Sequence, residues 1–513
     1  MSDRILHVTR RVGVVVGRIV IYVLIWAGLA LLIASLGIRM YWGEISVGQM
    51  LLNLVSVETD GGGGPIVWTG ILGIGVVPLL ITVGVAMWQS LRRRRRRRNG
   101  DGDRPRRRQW MMHTGSTALV AAVVVGGTTA FATTVGLGDY IRAANSKYDI
   151  GDYYVKPIVT NNDDKRNLVV IYLESGEATL ANDRLFEKDA FAPLKEATRA
   201  SDGWQSVDDF QQYEGGGWTM SGLVATQCGV PLKGVGSAAG NDLGGGLDTY
   251  LGGLTCMGDV LDEHGYTNVF LGGANAAFAA KGTFLSSHGY SEQKDLSDWR
   301  AAGEPQKNFR SDWGLSDERL MAYAKEEIDG LHAEAERTGE PFNLTVLTLD
   351  THEPAYIFDY CDVDTQEEVT SVFSCSMTQV AGFVEHMKEK GYLDDTAVVI
   401  MGDHLKHMGA NDAFHEQLDN HPNRTIFNRI WIPGGDPDGA LRPRIDQLNL
   451  YPTLLEAAGL TLQDREAGLG VSAFAPAVPE GSAQAMKPDA YGELLESRSP
   501  LFYTEAWAGR DAR

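Results

Sequence analysis

Basic residues are scarce in most of this 513-residue chain. Residues 113–513 hold 30 lysines and arginines against 60 aspartates and glutamates, a formal charge of −30. Binding along a nucleic acid requires a basic surface, so we expect no nucleic-acid partner for this part of the chain. Cysteine is also rare, with four residues that all follow residue 227, and the sequence contains no internal repeat.

Three long apolar runs occupy the N-terminal part, at residues 12–38, 66–88 and 116–137. About 20 apolar residues in a helix cross the hydrocarbon core of a bilayer, and a buried core helix rarely stays uncharged for so long. The third run is rich in Ala, Gly and Thr, which is typical of a helix packed against other helices. The first run lacks the cleavage site of a signal peptide. We therefore predict a membrane anchor of three transmembrane helices at residues 1–138.

Arginine predicts the orientation of this anchor. Residues 92–98 are seven consecutive arginines, and four more follow by residue 108, between the second and third runs. By the positive-inside rule this loop stays in the cytoplasm, which places the chain after residue 139 on the extracytoplasmic face of the cell membrane. A nucleic-acid-binding patch is the alternative, but a topology signal with anionic-lipid contacts explains the position between two spans better.

The pattern changes after residues 139–166, a polar stretch that we read as a linker or as an amphipathic segment lying on the membrane. Four apolar runs end in small, acidic or imidazole residues: NLVVIYLES (167–175), TNVFLGG (267–273), FNLTVLTLDTHEP (342–354) and TAVVIMGDHLKH (396–407). Helical patterns fall at 317–335, 377–390 and 445–460. Alternating strands and helices predict an α/β domain with a mainly parallel sheet at residues 167–467. Residues 468–513 are predicted to be peripheral.

The stretch GGGWTMSGLVATQCGVPL, at residues 215–232, contains a candidate nucleophile. Three glycines precede a segment that can begin a helix, with Thr219 near its first turn. Free N–H groups and positive potential at a helix N-terminus suit a phosphate group. The alternative is a glycine-rich loop followed by a capped helix.

Acidic and imidazole residues follow three of the predicted strands, where ligands of parallel sheets bind. Glu174, Asp403, His404 and the hydroxyl of Thr219 would make a sensible four-ligand shell for Mn²⁺, Mg²⁺ or Zn²⁺. A metal favours the ionised form of a bound hydroxyl and so makes it a better nucleophile. The alternatives are a surface Asp-His pair and a helix-capping role for Glu174.

In this order, after three spans, these motifs resemble the alkaline phosphatase superfamily and, within it, the membrane-bound phosphoglycerol transferases. These include the lipoteichoic acid synthases and the enzymes that decorate periplasmic glucans. ATQCGVPL (225–232) and KGTFLSSHGY (281–290) resemble the glucan-modifying branch most. The resemblance covers roughly residues 165–465 and implies a three-layer α/β/α fold.

The resemblance implies that Glu174, Thr219, Asp403 and His404 bind the metal and that Thr219 is the nucleophile. We predict Mn²⁺ as the metal, with Mg²⁺ or Zn²⁺ as alternatives. It implies that His352 contacts the substrate phosphate and donates a proton to the leaving group. Lys281 stands where the lipoteichoic acid synthases have an arginine, a change that keeps the charge but loses the bidentate fork. Trp313 and His288 are predicted to line the substrate pocket, with a packing role as the alternative for each.

Two departures from the lipoteichoic acid synthases bear on the product. Gly272 and Ala279 stand where those enzymes have a histidine and a tryptophan, which argues against a polyglycerolphosphate product. The C/S-x-P-x-R signature that sulfatases convert to formylglycine is missing at the nucleophile position, which argues against sulfate-ester hydrolysis.

The implied reaction moves phosphoglycerol from phosphatidylglycerol to a glycan or polyol acceptor through a phosphoglycerol-threonine and releases diacylglycerol. Phosphoethanolamine transfer, phosphodiester hydrolysis and a non-catalytic membrane receptor for a glycan or metal are the alternatives.

The four cysteines allow three pairings. We favour Cys361–Cys375 and Cys228–Cys256, with free buried thiols as the alternative.

Overall fold

The computed structural model describes residues 2–41, 68–98, 106–234, 248–310, 313–407, 413–419, 421–435 and 439–509. The chain forms two compact units that divide between Gly138 and Asp139. The start of the predicted second span, residues 66 and 67, and the arginine at position 104 lie outside the described residues.

The first unit is helical. Its helices are α1 (Ser2–Tyr41), α2 (Val77–Arg98, preceded by a π-helical turn at Ile71–Val76) and α3 (Arg106–Thr134). Three segments are long and apolar enough to cross a membrane: Val15–Met40, Trp68–Arg92 and Thr117–Thr134. They coincide with the three apolar runs of the sequence, and the seven arginines extend the end of α2.

Small residues let α1 and α3 pack closely, as the composition of the third run predicts. A Cβ atom on Gly127 would lie only 2.1 Å from the carbonyl oxygen of Gly28, so the two backbones touch. The hydroxyl oxygens of Ser35 and Thr134 lie 2.7 Å apart across the same pair of helices. Close backbone approach and hydroxyl hydrogen bonds are the usual means of helix association in a bilayer.

The second unit is an α/β domain. Its strands are β1 (Val159–Asn161), β2 (Asn167–Leu173), β3 (Thr267–Gly272), β4 (Glu292–Lys294), β5 (Phe309–Arg310), β6 (Gly314–Leu315), β7 (Phe342–Leu347), β8 (Thr396–Gly402), β9 (Asn428–Trp431), β10 (Thr461–Leu462), β11 (Glu466–Ala467) and β12 (Gly470–Val471). Its helices are α4 (Leu137–Ala144, at the boundary between the units), α5 (Ala192–Ala197), α6 (Thr219–Cys228), α7 (Met257–Glu263), α8 (Lys281–Ser287), α9 (Leu296–Ala301), α10 (Asp317–Thr338), α11 (Glu368–Lys390), α12 (His415–Leu418), α13 (Leu450–Ala457), α14 (Pro488–Glu496) and α15 (Pro500–Ala506).

The central sheet has the strand order β4-β3-β7-β2-β8-β9. Neighbouring strands are parallel except for β9, which pairs antiparallel with β8. The side chains of β2 alternate between two apolar layers, because successive residues of a strand face opposite sides. One layer packs against α6, α7 and α13, and the other against α5, α10 and α11. The predicted α/β fold with a mainly parallel sheet is confirmed.

The predicted helices differ from the observed ones mainly at their ends. The helix predicted at 377–390 begins earlier, at Glu368, and the one at 445–460 shortens to Leu450–Ala457. The shortening has a local cause: the side chain of Asp446 accepts a hydrogen bond from the backbone N–H of Leu448 and caps a separate 3₁₀ turn.

The segment after residue 468 contributes to the core. Leu494, Leu495 and Tyr503 are buried in the same apolar layer as α6. Reading residues 468–513 as peripheral did not anticipate these buried side chains, because the segment is rich in Ala, Pro and Ser and shows little periodicity.

Candidate active site

Three side chains of the predicted metal site follow paired strands at one edge of the sheet. Leu173 at the end of β2 pairs with Gly402 at the end of β8, so the next residues, Glu174 and Asp403, lie side by side. Ligand atoms of Glu174, Asp403 and His404 all lie within 4.8 Å of one another, and all three residues are buried. The structure thus brings together three of the four predicted metal ligands at the edge where parallel sheets bind ligands.

Thr219 joins this cluster from the start of a helix. It is the first residue of α6, and its hydroxyl donates a hydrogen bond to Oε2 of Glu174 at 3.3 Å. The first N–H groups of a helix have no partner within the helix and create positive potential. The hydroxyl therefore lies among the candidate ligands, at a place suited to a phosphate group.

Close backbone packing fixes α6 against the end of β8. A Cβ atom on Gly222 would lie 2.2 Å from the carbonyl oxygen of Asp403, so only glycine allows this approach. The same carbonyl accepts a hydrogen bond of 2.7 Å from Nε2 of Gln447. Helix α6 and the Asp403 loop are consequently held at a fixed distance.

Local hydrogen bonds orient the carboxylates. Oδ1 of Asp403 accepts hydrogen bonds from the backbone N–H groups of Ser175 and His404, each at 2.8 Å. The hydroxyl of Ser175 donates to Oε1 of Glu174 at 2.8 Å. Ser175 has a positive φ of 54°, a strained backbone conformation of the kind that recurs at functional sites. Ser175 therefore positions both carboxylates.

Two buried carboxylates at this distance affect each other's ionisation. Burial, and then the charge of Glu174, raises the pKa of Asp403 to about 7. Burial also opposes ionisation of Glu174, but His404, His352 and the Ser175 hydroxyl lower its pKa to about 2. A cation between the two carboxylates would relieve this repulsion.

The remaining atoms of the cluster fit a divalent cation. Nδ1 of His404 lies 2.7 Å from the carbonyl oxygen of Leu405, which leaves Nε2 facing Glu174 and Asp403 at 3.5 Å each. Within the part of the chain that the structure describes, Oδ2 of Asp403 is buried without a hydrogen-bond partner. Two carboxylates, one imidazole and one hydroxyl are suitable ligands for Mn²⁺, Mg²⁺ or Zn²⁺.

His352 follows β7 and lies near this cluster. Nδ1 of His352 lies 2.7 Å from the carbonyl oxygen of Glu353, which leaves Nε2 available to a substrate. Burial lowers the pKa of His352, and the charge of Glu174 partly opposes that effect. The ring of Trp313 lies 4.7 Å from that of His352, and Nε1 of Trp313 is buried with no acceptor among the described residues.

Lys281 is a buried cation close to the carboxylates. It begins α8, and its ammonium group lies 5.7 Å from the ring centre of Phe270. Burial lowers the pKa of Lys281 to about 8, although the charges of Asp295, Glu174 and Asp403 oppose this shift. A buried, charged lysine near the candidate metal ligands suits a phosphate contact.

The structure does not place His288 with these residues. Its ring lies 2.7 Å from Oδ2 of Asp259, 2.9 Å from the carbonyl oxygen of Tyr250 and 3.6 Å from Sγ of Cys256. Lys281 begins the seven-residue helix α8 and His288 follows its end, about 10 Å further along. The pocket-lining role predicted for His288 is therefore replaced by the packing alternative.

Both predicted disulfides are present, as Cys228–Cys256 and Cys361–Cys375. The first joins the end of α6 to the start of α7, so it anchors α6 at the end opposite Thr219.

Sequence reasoning missed several residues around the site. The guanidinium of Arg310 donates to the carbonyl oxygens of His352 and Pro354. His407 lies near His404, with ring centres 5.2 Å apart, and burial lowers its pKa to about 3. His407 lies within the motif TAVVIMGDHLKH, which could have indicated that it is near the site. Arg310 contacts a loop 42 positions away in the sequence, and no local pattern reveals such a contact.

The chain is similar to several known proteins. Residues 208–460 match the family model described as Sulfatase. A phosphoglycerol transferase I of Xanthomonas campestris pv. campestris (strain B100) is 32% identical over 68% of this chain and 48% of the relative. The phosphoglycerol transferase I of Escherichia coli O139:H28 (strain E24377A / ETEC) is 29% identical over 78% of this chain and 50% of the relative. The chain thus spans about half the length of these curated relatives.

Two solved structures share the fold. A protein in the alkaline phosphatase superfamily from Vibrio parahaemolyticus has a TM-score of 0.50 and 21% identity, covering 72% of this chain and 94% of its own. The lipoteichoic acid synthase LtaP from Listeria monocytogenes has a TM-score of 0.53 and 16% identity, covering 70% of this chain and 96% of its own. The chain therefore shares the α/β fold of these two structures, and its residues 208–460 are similar to the family described as Sulfatase.

Proposed function

We propose that this chain transfers phosphoglycerol from phosphatidylglycerol to a glycan or polyol acceptor. The observation that supports this most is the hydroxyl of Thr219, which lies at a helix N-terminus and 3.3 Å from a carboxylate of a buried Glu-Asp-His cluster. The similarity to proteins named phosphoglycerol transferase I supports the choice of the transferred group.

Glu174, Thr219, Asp403 and His404 would hold a divalent cation, for which we propose Mn²⁺ with Mg²⁺ or Zn²⁺ as alternatives. When bound, the cation would favour the ionised form of the Thr219 hydroxyl and offset negative charge on a phosphate oxygen. Lys281 would contribute a second positive charge toward the phosphate, and Nε1 of Trp313 an additional hydrogen-bond donor.

In the first step, Oγ1 of Thr219, ionised after its proton has left to solvent, attacks the phosphorus atom of the donor. The bond from phosphorus to Thr219 forms while the bond from phosphorus to the diacylglycerol oxygen breaks. Nε2 of protonated His352 gives its proton to that leaving oxygen. Burial disfavours the protonated imidazole in the free protein, so the negative charge of the bound phosphodiester is needed to stabilise it.

The second step reverses these roles. Neutral His352 now takes the proton from an acceptor hydroxyl, whose oxygen attacks the phosphorus of the phosphoglycerol-threonine. The bond from phosphorus to Thr219 breaks, Oγ1 of Thr219 leaves in its ionised form, and His352 is protonated again. Atoms and protons therefore balance over the cycle.

The membrane anchor fits a lipid donor. The charge pattern of residues 92–98 supports an orientation with the α/β domain on the extracytoplasmic face. Three membrane-spanning helices would keep the site near the bilayer surface and raise its effective concentration toward a lipid.

The function can be tested with the full chain purified in detergent, fluorescent phosphatidylglycerol and Mn²⁺, by following diacylglycerol release. We expect release by the wild type, reduced release by Thr219→Ser, which keeps a hydroxyl, and none by Thr219→Ala. Release only from phosphatidylethanolamine would replace glycerol by ethanolamine as the transferred group. No release from either lipid would contradict lipid-donor transfer and favour a soluble phosphodiester or a receptor role.

A further inference from the structure

Two large apolar side chains are exposed, one just after the predicted membrane anchor and one on α15. Ile141 on α4 is 55% exposed, and Leu501 on α15 is 76% exposed, the highest value among the large apolar residues described. Exposed apolar side chains of this size commonly mark an interaction surface when they lie together.

Hydrogen bonds bring these distant segments together. The backbone N–H of Arg498 donates to the carbonyl oxygen of Ala143, and the hydroxyl of Ser499 accepts from the backbone N–H of Ile150 at 2.7 Å. The hydroxyl of Ser146 donates to the side chain of Glu493. The helix pair α14–α15 is thus fastened to residues 143–150, and Leu501 follows Arg498 and Ser499, which make two of these contacts.

The position of this surface along the chain indicates what it contacts. Helix α4 begins at Leu137, three positions after α3 ends at Thr134, and α3 contains a segment long and apolar enough to cross a membrane. A chain that has just left the hydrocarbon core cannot move far from the bilayer within a few residues, because each residue extends it by at most about 3.5 Å. The segment around Ile141 therefore lies at the bilayer surface if α3 spans it.

The charged residues here suit a shallow position. The exposed charged residues here are the basic Arg142, Lys147 and Arg498 and the acidic Glu493 and Glu505, the latter on the exposed face of α15 with Leu501. Long basic side chains can reach lipid headgroups from a shallow apolar contact, while an exposed glutamate has to stay in water.

We propose that Ile141, Arg142, Lys147, Arg498 and Leu501, named the connector surface, dock onto the headgroup region of the lipid bilayer. Leu501 inserts among the lipids although it is 360 positions from Ile141 in the sequence. This inference rests on the membrane span of α3 and not on the proposed reaction.

Docking there would also fix the nucleophile helix. Lys233, shortly after α6, donates to the carbonyl oxygens of Leu495 and Ser497, and the hydroxyl of Tyr503 donates to the carbonyl oxygen of Pro231 at 2.6 Å. These contacts connect α14 and α15 to the chain that follows α6. A bilayer contact at α15 would therefore hold the end of α6 in place.

The test uses the natural cysteines, which are all paired in disulfides. Leu501→Cys would supply the single free thiol of the full chain, which is labelled with an environment-sensitive fluorophore and reconstituted into vesicles of phosphatidylglycerol and phosphatidylcholine. The matched control is Thr378→Cys, an exposed position on α11, which packs on the opposite face of the sheet. Quenching is then measured with lipids brominated along their acyl chains.

We expect several-fold stronger quenching at position 501 than at position 378. Thiol titration of each variant before labelling should give one free thiol, which shows that the four natural cysteines remain paired, and thermal unfolding of each variant checks the fold. Equal quenching at both positions, or quenching at position 378 alone, would overturn the proposal.

Discussion

The ammonium nitrogen of Lys406 lies 2.5 Å from Oε1 of Glu353, and this ion pair joins the loops that carry His404 and His352. The side chain of Lys406 is fully buried, while that of Glu353 keeps 20% of its surface exposed. The backbone N–H of Lys406 also donates to Oε2 of Glu177. The ion pair therefore holds the proposed proton donor beside the candidate metal ligands.

Removing Lys406 is expected to impair both stability and catalysis. Lys406→Met leaves Glu353 largely buried without its partner, which should lower the free energy of unfolding by about 3 kcal/mol, the lower end of the range for a broken buried pair. Displacement of His352 should lower kcat more than it raises KM. Thermal unfolding in detergent and steady-state kinetics measure the two effects.

The matched control is Lys388→Met, because Lys388 is 63% exposed and pairs with Asp202 at 3.3 Å on the surface. Exposed pairs contribute about 0–1 kcal/mol, so its stability should hardly change. Equal losses in both lysine variants would show that the buried pair has no special role.

Gly222→Ala should disrupt the site without touching any ligand. The added Cβ would lie 2.2 Å from the carbonyl oxygen of Asp403, so α6 has to move away from β8. Overpacking of this kind costs about 1–3 kcal/mol, and a shift of about 1 Å in a reacting group can lower the rate about 10²-fold. Diacylglycerol release and thermal unfolding would both be measured.

Gly330→Ala on α10 serves as the control for this substitution. Nothing lies within 4 Å of a Cβ at Gly330, and alanine is the better helix former by about 0.5–1 kcal/mol. Its stability should rise and its activity should stay unchanged. Full activity in Gly222→Ala would contradict the close packing described for α6.

Donor binding should weaken at alkaline pH through Lys281. Burial lowers its pKa to about 8, so the ammonium form is present below that pH and is lost as the pH rises through it. A phosphate anion binds the charged form better, and KM should therefore rise above pH 8. Lys281→Arg, which stays charged, should remove this rise, whereas Lys281→Met should raise KM at all pH values. A pH-independent KM in the wild type would argue against the phosphate contact.

Metal removal should lower thermal stability and activity together. A cation at 100 times its dissociation constant stabilises the folded state by about 2.7 kcal/mol, so chelation should lower Tm and Mn²⁺ should restore it. In Asp403→Asn this recovery should disappear. The metal-free variant should nevertheless be at least as stable as the metal-free wild type, because one of two repelling carboxylates is gone. Recovery of Tm in Asp403→Asn would contradict the proposed ligand set.

The sequence predicted those features that local patterns encode. The apolar runs predicted the sheet strands β2, β3, β7 and β8, and the strand ends predicted that Glu174, Asp403 and His404 meet. Such predictions succeed because parallel strands place their carboxyl ends at one edge. The three helices that are long and apolar enough to cross a membrane followed in the same way from length and apolar composition.

Contacts between distant segments were not predictable in this way. The position of Gly222 against Asp403 and the reach of Arg310 to His352 depend on how separate segments pack. For His288, nearness in the sequence was misleading. The motif at residues 281–290 places it close to Lys281, but helix α8 separates the two residues, and His288 lies 3.6 Å from Sγ of Cys256 in the disulfide. The buried side chains after residue 468 have no periodic pattern to reveal them.

The most direct test of the proposed function is a search for phosphoglycerol on Thr219. The wild-type chain is incubated with phosphatidylglycerol and Mn²⁺ without an acceptor, quenched in acid, digested and analysed by mass spectrometry. We predict a phosphoglycerol adduct on the peptide that contains Thr219, with one diacylglycerol released per adduct, and no adduct in Thr219→Ala. Diacylglycerol release without an adduct, or an adduct on another residue, would contradict Thr219 as the nucleophile.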